Sequence, residues 1–385
     1  MADETTILES GSVFSHFRLK EKLGQGGMGA VYLAEDLTLS RSVAIKIMNS
    51  NLLDVEEGDM IEQRFIREAK LAASINHVNI VQVYEANFVS DPWFIAMEYI
   101  EGNSLGSLLK SNGPFTAISV MNLLDQVCKG LQYAWEKYHV VHRDIKPQNL
   151  MLNNEGTVKI VDLGLAKPII EAGEDEYELT GGMPIGTPYY MAPEQTLAED
   201  IDHRCDIFSL GTTIYQLLSG KHAFKGKTPI GIYNKKVAQK YERLSEDIAP
   251  KELSAIIEKM MKPDLEERYA TYGELISDVK ELQKQYSEDE IQANEETILS
   301  TAPLARDTMP ASDVSSPVPS NFDRETLKAL AAEMAVFIGP VAKLVVKKKA
   351  KKSDSINQLI DKLCKELETD AEKTQFRKRV KKFTS

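Results

Sequence analysis

The chain has 385 residues, 43% hydrophobic and 27% charged, with a formal net charge of -12. That length suits about two or three domains with a sizeable core, and the acidic balance argues against a general binder of nucleic acid or anionic lipid. The charge is uneven, since the end from Lys343 to Lys382 is basic and holds Lys347-Lys348-Lys349 and Lys351-Lys352.

The first six residues, Met1 to Thr6, are acidic and polar, unlike a signal peptide. No apolar run reaches the roughly 18 residues of a membrane helix; the closest, Met334 to Val346, is broken by Gly339-Pro340 and by Lys343. Cys128, Cys205 and Cys364 have neither paired nor metal-ligand spacing and read as buried, reduced thiols. A cytoplasmic protein without a transmembrane segment is expected.

From Phe17 to Asp36 the pattern is two strands around Leu23-Gly24-Gln25-Gly26-Gly27-Met28-Gly29-Ala30-Val31. A glycine turn of this kind is shared by dinucleotide folds and plain hairpins, but a dinucleotide turn opens a helix. Here Val31-Tyr32-Leu33 resumes a strand. Glycines without Cβ let backbone amides approach phosphate oxygens. Val43-Ala44-Ile45-Lys46 is a third strand with a cation at its end. A helix is expected within Met60 to Ile75, where Ile61, Phe65, Ala69, Ala72 and Ile75 recur at helical spacing. Ile80 to Phe88 and Trp93 to Met97 complete five strands.

After Ser104 the pattern turns helical, over Leu105 to Lys110 and Ile118 to Tyr138, with Gly113-Pro114 as the break. Then comes the densest stretch of polar chemistry: His142-Arg143-Asp144-Ile145-Lys146-Pro147-Gln148-Asn149, followed on a hairpin by Val161-Asp162-Leu163-Gly164. The carboxylate of Asp144, the ammonium of Lys146 and the amide of Asn149 lie close in sequence, and a second carboxylate, Asp162, follows. Phosphoryl transfer needs such a set, to orient a hydroxyl and to hold metal ions on the phosphate oxygens. Ser287 to Asn321, with four prolines among small polar residues, reads as a disordered linker. Phe322 to Phe383 returns to helical spacing: Leu327 to Ile338, Val341 to Ala350, Ile356 to Leu367 and Thr369 to Val380. Asp323 and Ser353 or Asp354 are the expected caps.

In their order and spacing, Gly24, Gly26, Gly29, Lys46, Glu68, Asp144, Asn149, Asp162 and Glu194 resemble the motifs of bacterial eukaryotic-like (Hanks-type) serine/threonine protein kinases. The resemblance covers roughly 270 residues, an ordinary size for a two-lobed unit. It implies an α+β fold with a five-stranded antiparallel sheet and one main helix in the first lobe, and a helical second lobe. The expected organisation is a disordered tail over 1–14, a kinase domain over 15–286, a linker over 287–321 and a small all-α bundle over 322–385.

The resemblance also implies roles. ATP would lie against Leu23 to Val31, Ala44 and the hinge Met97-Glu98-Tyr99, with Met97 as gatekeeper. Lys46 would contact the phosphates and be held by Glu68, which fits the family's separation better than Glu62. Asp144 would orient the substrate hydroxyl and take its proton, and Lys146 would stabilise the transferring group. Asn149 and Asp162 would hold magnesium, for which manganese can substitute. Lysine at position 146 resembles the serine/threonine branch. Leu163 stands where the family usually has phenylalanine, which leaves the metal ligand intact. Arg143 would receive a phosphate on the loop from Asp162 to Glu194, where Thr180 is preferred over Tyr177 as the autophosphorylation site. Thr187 would frame the substrate, Asp206 would tie down the catalytic loop, and Glu194 with Arg268 would form a buried ion pair.

The resemblance implies protein substrates and signal transduction. The C-terminal bundle would serve self-association or partner docking. The alternative from another class is a nucleotide-binding pseudokinase scaffold acting through that bundle. It would be signalled by loss of the base, the lysine or a metal ligand, and none is lost.

Overall fold

The computed structural model describes residues 11–26, 29–48, 66, 69–88, 92–163, 188–197, 201–226, 228–285, 324–338, 342–351, 353, 355–365, 367 and 370–381. The chain divides into two compact units. One comprises Met1–Ile169, Asp202–Lys221 and Leu244–Asp313; the other comprises Ile170–Ile201, His222–Arg243 and Val314–Ser385. No helix among the described residues is long and apolar enough to cross a membrane.

The first unit opens with an antiparallel sheet of β1 (Val13–Phe14), β2 (Phe17–Gly26), β3 (Gly29–Asp36), β4 (Arg41–Met48), β5 (Val83–Asn87) and β6 (Phe94–Glu98), in the order β1-β2-β3-β4-β6-β5. It has six strands where five were expected, because residues assigned to the tail fold back on β2. Ser15 takes a left-handed φ of 53°, Phe14 pairs with Phe17, and the Phe14 ring meets Phe94 edge-on at 4.7 Å.

The period of two along β4 decides what each face does. Val43, Ile45 and Ile47 join Phe17, Leu19, Tyr32, Phe94 and Ala96 in one core. Ala44 joins Ala69 and Ala72 of a short helix α1 (69–74), with Val81, Val83, Ile95 and Met97, in a second core on the opposite face. Lys46 shares the Ala44 face by register and is itself buried.

A three-stranded sheet follows, β7 (Gly102–Ser104), β8 (Leu150–Asn153) and β9 (Val158–Ile160), with helices α2 (Leu105–Asn112) and α3 (Ala117–Tyr138) between its first two strands. Ser104 and Thr116 cap the two helices by accepting from the Ser107 and Ser119 amides, and His139 ends α3 in the left-handed region. Val81 donates to the Ile160 carbonyl and Ile160 to the Asn79 carbonyl, so the β9 hairpin is stitched to the chain just ahead of β5.

The second unit holds α4 (Pro193–Leu197), the first unit holds α5 (Arg204–Ser219), and α6 (Pro229–Val237) belongs again to the second. Helices α7 (Lys251–Met260) and α8 (Tyr272–Gln283) complete the described part of the first unit. Its α5 is buried almost all round, and α8 packs on α3. In the second unit four helices, α9 (Arg324–Ile338), α10 (Ala342–Lys351), α11 (Ile356–Cys364) and α12 (Asp370–Val380), bury Leu330, Met334, Val346, Leu359, Leu363, Phe376 and Val380 together with Ile230 and Tyr233 of α6. The cap of α11 is Ser355, which accepts from the Gln358 amide, in place of the expected Ser353 or Asp354; the Ser353 hydroxyl donates instead to the Lys349 carbonyl. All three cysteines are free and buried.

Candidate active site

The site is built around Asp206, in the first turn of α5. Its two oxygens accept the backbone N–H groups of His142 and Arg143, each at 2.7 Å. Arg143 has φ +66°, a conformation that a non-glycine residue holds only when its surroundings over-determine it. Two charge-assisted bonds from one carboxylate supply that restraint. Burial pushes the Asp206 carboxyl up, against the pull of His142 and the two amides.

The next residues are fixed by the same network. The His142 ring bonds the Asp144 amide at 3.2 Å and the Val161 carbonyl at 3.0 Å, joining the loop to the hairpin that carries Asp162. Lys146 Nζ lies 2.9 Å from Asp144 Oδ2. The 3-10 turn Pro147–Asn149 brings the Asn149 amide nitrogen to the Asp144 carbonyl at 2.9 Å and to Asp144 Oδ2 at 3.1 Å. Asn149 thus spends its donor on Asp144 and keeps its oxygen for another partner.

From the sheet comes Lys46, whose ammonium is 2.7 Å from Asp162 Oδ1. Asp162 also has a left-handed φ, +59°. Burial pushes its carboxyl up, but Lys46, by charge and by hydrogen bond, outweighs burial and holds it below the usual carboxylate range. It is therefore an anion at neutral pH. Leu163, the departure from the family pattern, is buried.

Leu23 and Val31, before and after the glycine turn in sequence, pack against the core on the Ala44 face of the sheet. Gly29 has φ +146°, and a Cβ there would stand 1.9 Å from the Ile47 carbonyl oxygen, so β3 must begin with glycine to run against β4. At Gly24 a Cβ would meet nothing within 4 Å, so its lack of side chain leaves open space. Gly27 and Met28 lie outside the described residues. Leu23, Val31, Ala44, Met97 and Tyr99 form one apolar cluster, as a flat heterocycle would require. Gln25 accepts from Lys22 at the surface, and Ala30 packs against the opposite core. Carboxylate and amide oxygens at Asp162 and Asn149 are the hard ligands that magnesium takes, with the Lys46 cation beside them, so the residues present fit a metal-bound triphosphate.

Glu68, Thr180 and Thr187 lie outside the described residues. Glu194 is buried at the start of α4. Arg268 is buried in the first unit, and its guanidinium donates to the carbonyls of Lys262, Arg204 and Pro263. Two features escape a reading of the sequence. Glu98 turns its carboxylate onto Lys159 at 2.7 Å, tying the end of β6 to β9, and only register could have suggested that pair. Lys236 is buried, although its sequence Asn234-Lys235-Lys236 looks like a solvated helix face.

A family model described as a protein kinase domain matches residues 17–370. Among curated relatives, the serine/threonine-protein kinase PknB of Mycolicibacterium smegmatis is 30% identical over 342 residues, covering 86% of this chain and 54% of that protein. PknB of Mycobacterium tuberculosis is 33% identical over 274 residues, covering 68% and 42%. A probable serine/threonine-protein kinase of Clostridium acetobutylicum is 32% identical over 284 residues, covering 73% and 42%. The chain thus spans about half the length of the curated relatives it matches.

Proposed function

The chain belongs to the protein kinase family, and on that premise we propose that it transfers the γ-phosphoryl group of ATP to serine or threonine hydroxyls of protein substrates in signal transduction. The observation that carries the reading is the joint placement of Lys46 on Asp162 and of Lys146 and Asn149 on Asp144 within one compact unit.

The substrate hydroxyl oxygen attacks the γ-phosphorus, the bond from that phosphorus to the bridging oxygen breaks, and ADP leaves. Asp144 orients the hydroxyl and accepts its proton. Lys146, already 2.9 Å from Asp144, steadies the charge on the moving group. Lys46 binds the phosphates that stay with ADP, and Gly24 to Gly29 cover them. Asn149 and Asp162 hold magnesium, which when bound neutralises charge on the phosphate oxygens. Leu23, Val31, Ala44 and Met97 enclose the adenine, with the Glu98 and Tyr99 backbone at its edge.

The remaining assignments follow the family. Glu68 partners Lys46, Arg143 pairs with the phosphate carried by Thr180, and Thr187 frames the substrate. Residues 15–286 act as the kinase domain in the cytoplasm, and the helices from Phe322 on serve regulation or docking. Labelled ATP with magnesium and a generic protein acceptor tests the reading. Label recovered as phosphoserine or phosphothreonine supports it; label on tyrosine alone, or nucleotide binding without transfer, would overturn it.

A further inference from the structure

The second compact unit contains an ammonium that no step above uses. Lys236, near the end of α6, is 1% exposed. Lysine is almost never buried to this degree unless it is paired, because its charge loses hydration. Here the Nζ donates to the main-chain carbonyls of both Pro188 and Met191. One ammonium thus staples two acceptors three residues apart, across the turn that leads into α4. Glu194, in the first turn of α4, adds a compensating charge. The same turn is gripped a second time, since the His222 ring stacks on Tyr189 at 4.1 Å and 9°.

Helix α6 is a firm support for such a staple. Thr228 caps its start, and Ile230 and Tyr233 are built into the core of the four C-terminal helices. Lys236 lies on from Tyr233 by nearly one turn, so neighbouring positions on one stretch of the helix bond the 188–191 backbone and pack into the C-terminal core.

We propose that Lys236 is a positioning residue for the protein substrate, which fixes the substrate-framing segment by holding the Pro188 and Met191 carbonyls from a helix anchored in the C-terminal core. This rests on the kinase reading, in which Thr187, next in sequence to Pro188, frames the substrate. Lys236 touches neither ATP nor the transferred group; it acts through the backbone it holds.

The test uses the full chain and compares Lys236→Met, Lys236→Arg and, as a neighbour on the same helix, Lys235→Met. Peptide KM, ATP KM and hydrolysis of ATP without peptide are measured for each. Lys236→Met is expected to raise peptide KM about tenfold or more, in line with the loss of charged hydrogen bonds, while ATP KM and hydrolysis stay within about twofold. Lys236→Arg, with charge kept but no single nitrogen suited to both carbonyls, falls between wild type and Lys236→Met, and Lys235→Met matches wild type. An unchanged peptide KM in Lys236→Met overturns the proposal. So does a loss of all three quantities together with the melting temperature, which marks a merely structural lysine. Should Lys236→Met fail to fold, Lys236→Arg decides: a peptide KM equal to wild type overturns the proposal, a selective rise supports it. A wild type that transfers no phosphate removes the kinase reading first, which is a different result from a wild type that transfers normally and a variant that does so equally well.

Discussion

The Lys46 ammonium lies 2.7 Å from Asp162 Oδ1, and this contact joins the sheet to the segment that follows β9. Substituting Lys46→Met removes the cation for the phosphates and leaves Asp162 without that partner. Activity is expected to fall by about two orders of magnitude or more, through weaker phosphate binding and a misplaced carboxylate. Steady-state kinetics with ATP as the varied substrate checks it.

The same contact sets a dependence on pH. Lys46 lowers the Asp162 carboxyl below the ordinary carboxylate value, so the unfolded state binds more protons than the folded state in the acid range. The contribution of Asp162 to stability is therefore present above pH ~4 and lost as pH falls through the folded value. Denaturation of wild type and Asp162→Asn from pH 6 to 2.5 is expected to show a gap that closes on acidification.

Lys236 carries a dependence of the same sign in a more alkaline window. Burial lowers its ammonium to about 7, with Glu194 opposing, so above that point the unfolded state holds the extra proton. Stability relative to Lys236→Met should rise as pH increases from about 7 towards 10, where the exposed lysine also loses its proton. Urea midpoints across that range check the slope.

Asp206 makes two bonds to buried or half-buried amides, so Asp206→Ala orphans both donors and frees the left-handed Arg143. The expected loss is about 2 to 5 kcal/mol, with a fall in kcat larger than the rise in ATP KM. Asp206→Asn, which keeps one acceptor, should lie between the two.

The glycines separate structure from ligand contact. Gly29→Ala meets the Ile47 carbonyl at 1.9 Å and a strained φ, so it should destabilise strongly; Gly24→Ala enters open space, so stability should stay within about 0.5 kcal/mol while ATP KM rises. Unfolding curves and ATP KM for the two variants check the contrast.

Much of this arrangement was legible in the sequence because it rests on local signals. The β4 run from Val43 to Lys46 reads as a strand by its β-branched residues, and the C-terminal helices begin and end within a few residues of their periodic stretches. The density of charge from His142 to Asn149 marks the site without any knowledge of packing. What escaped was decided by contacts distant in sequence. Val13–Phe14 is too short to leave a period, and its place depends on Phe94. Lys236 reads as solvated until the carbonyls of Pro188 and Met191 close on it, and Ile230 and Tyr233 give no sign that they share a core with residues as far along the chain as Leu330 and Met334. The choice of Ser355 over Ser353 as a cap turns on one residue of helix start, the least certain quantity in any pattern.

The most direct test of the account is single-turnover phosphate transfer by Asp144→Asn beside wild type, with ATP affinity measured on the same samples. The substitution keeps the shape of the site, but its neutral amide bonds Lys146 only weakly and cannot take the hydroxyl proton. The transfer rate is therefore expected to fall by about 10² to 10⁴ with ATP affinity unchanged. A variant that transfers phosphate at the wild-type rate would contradict it.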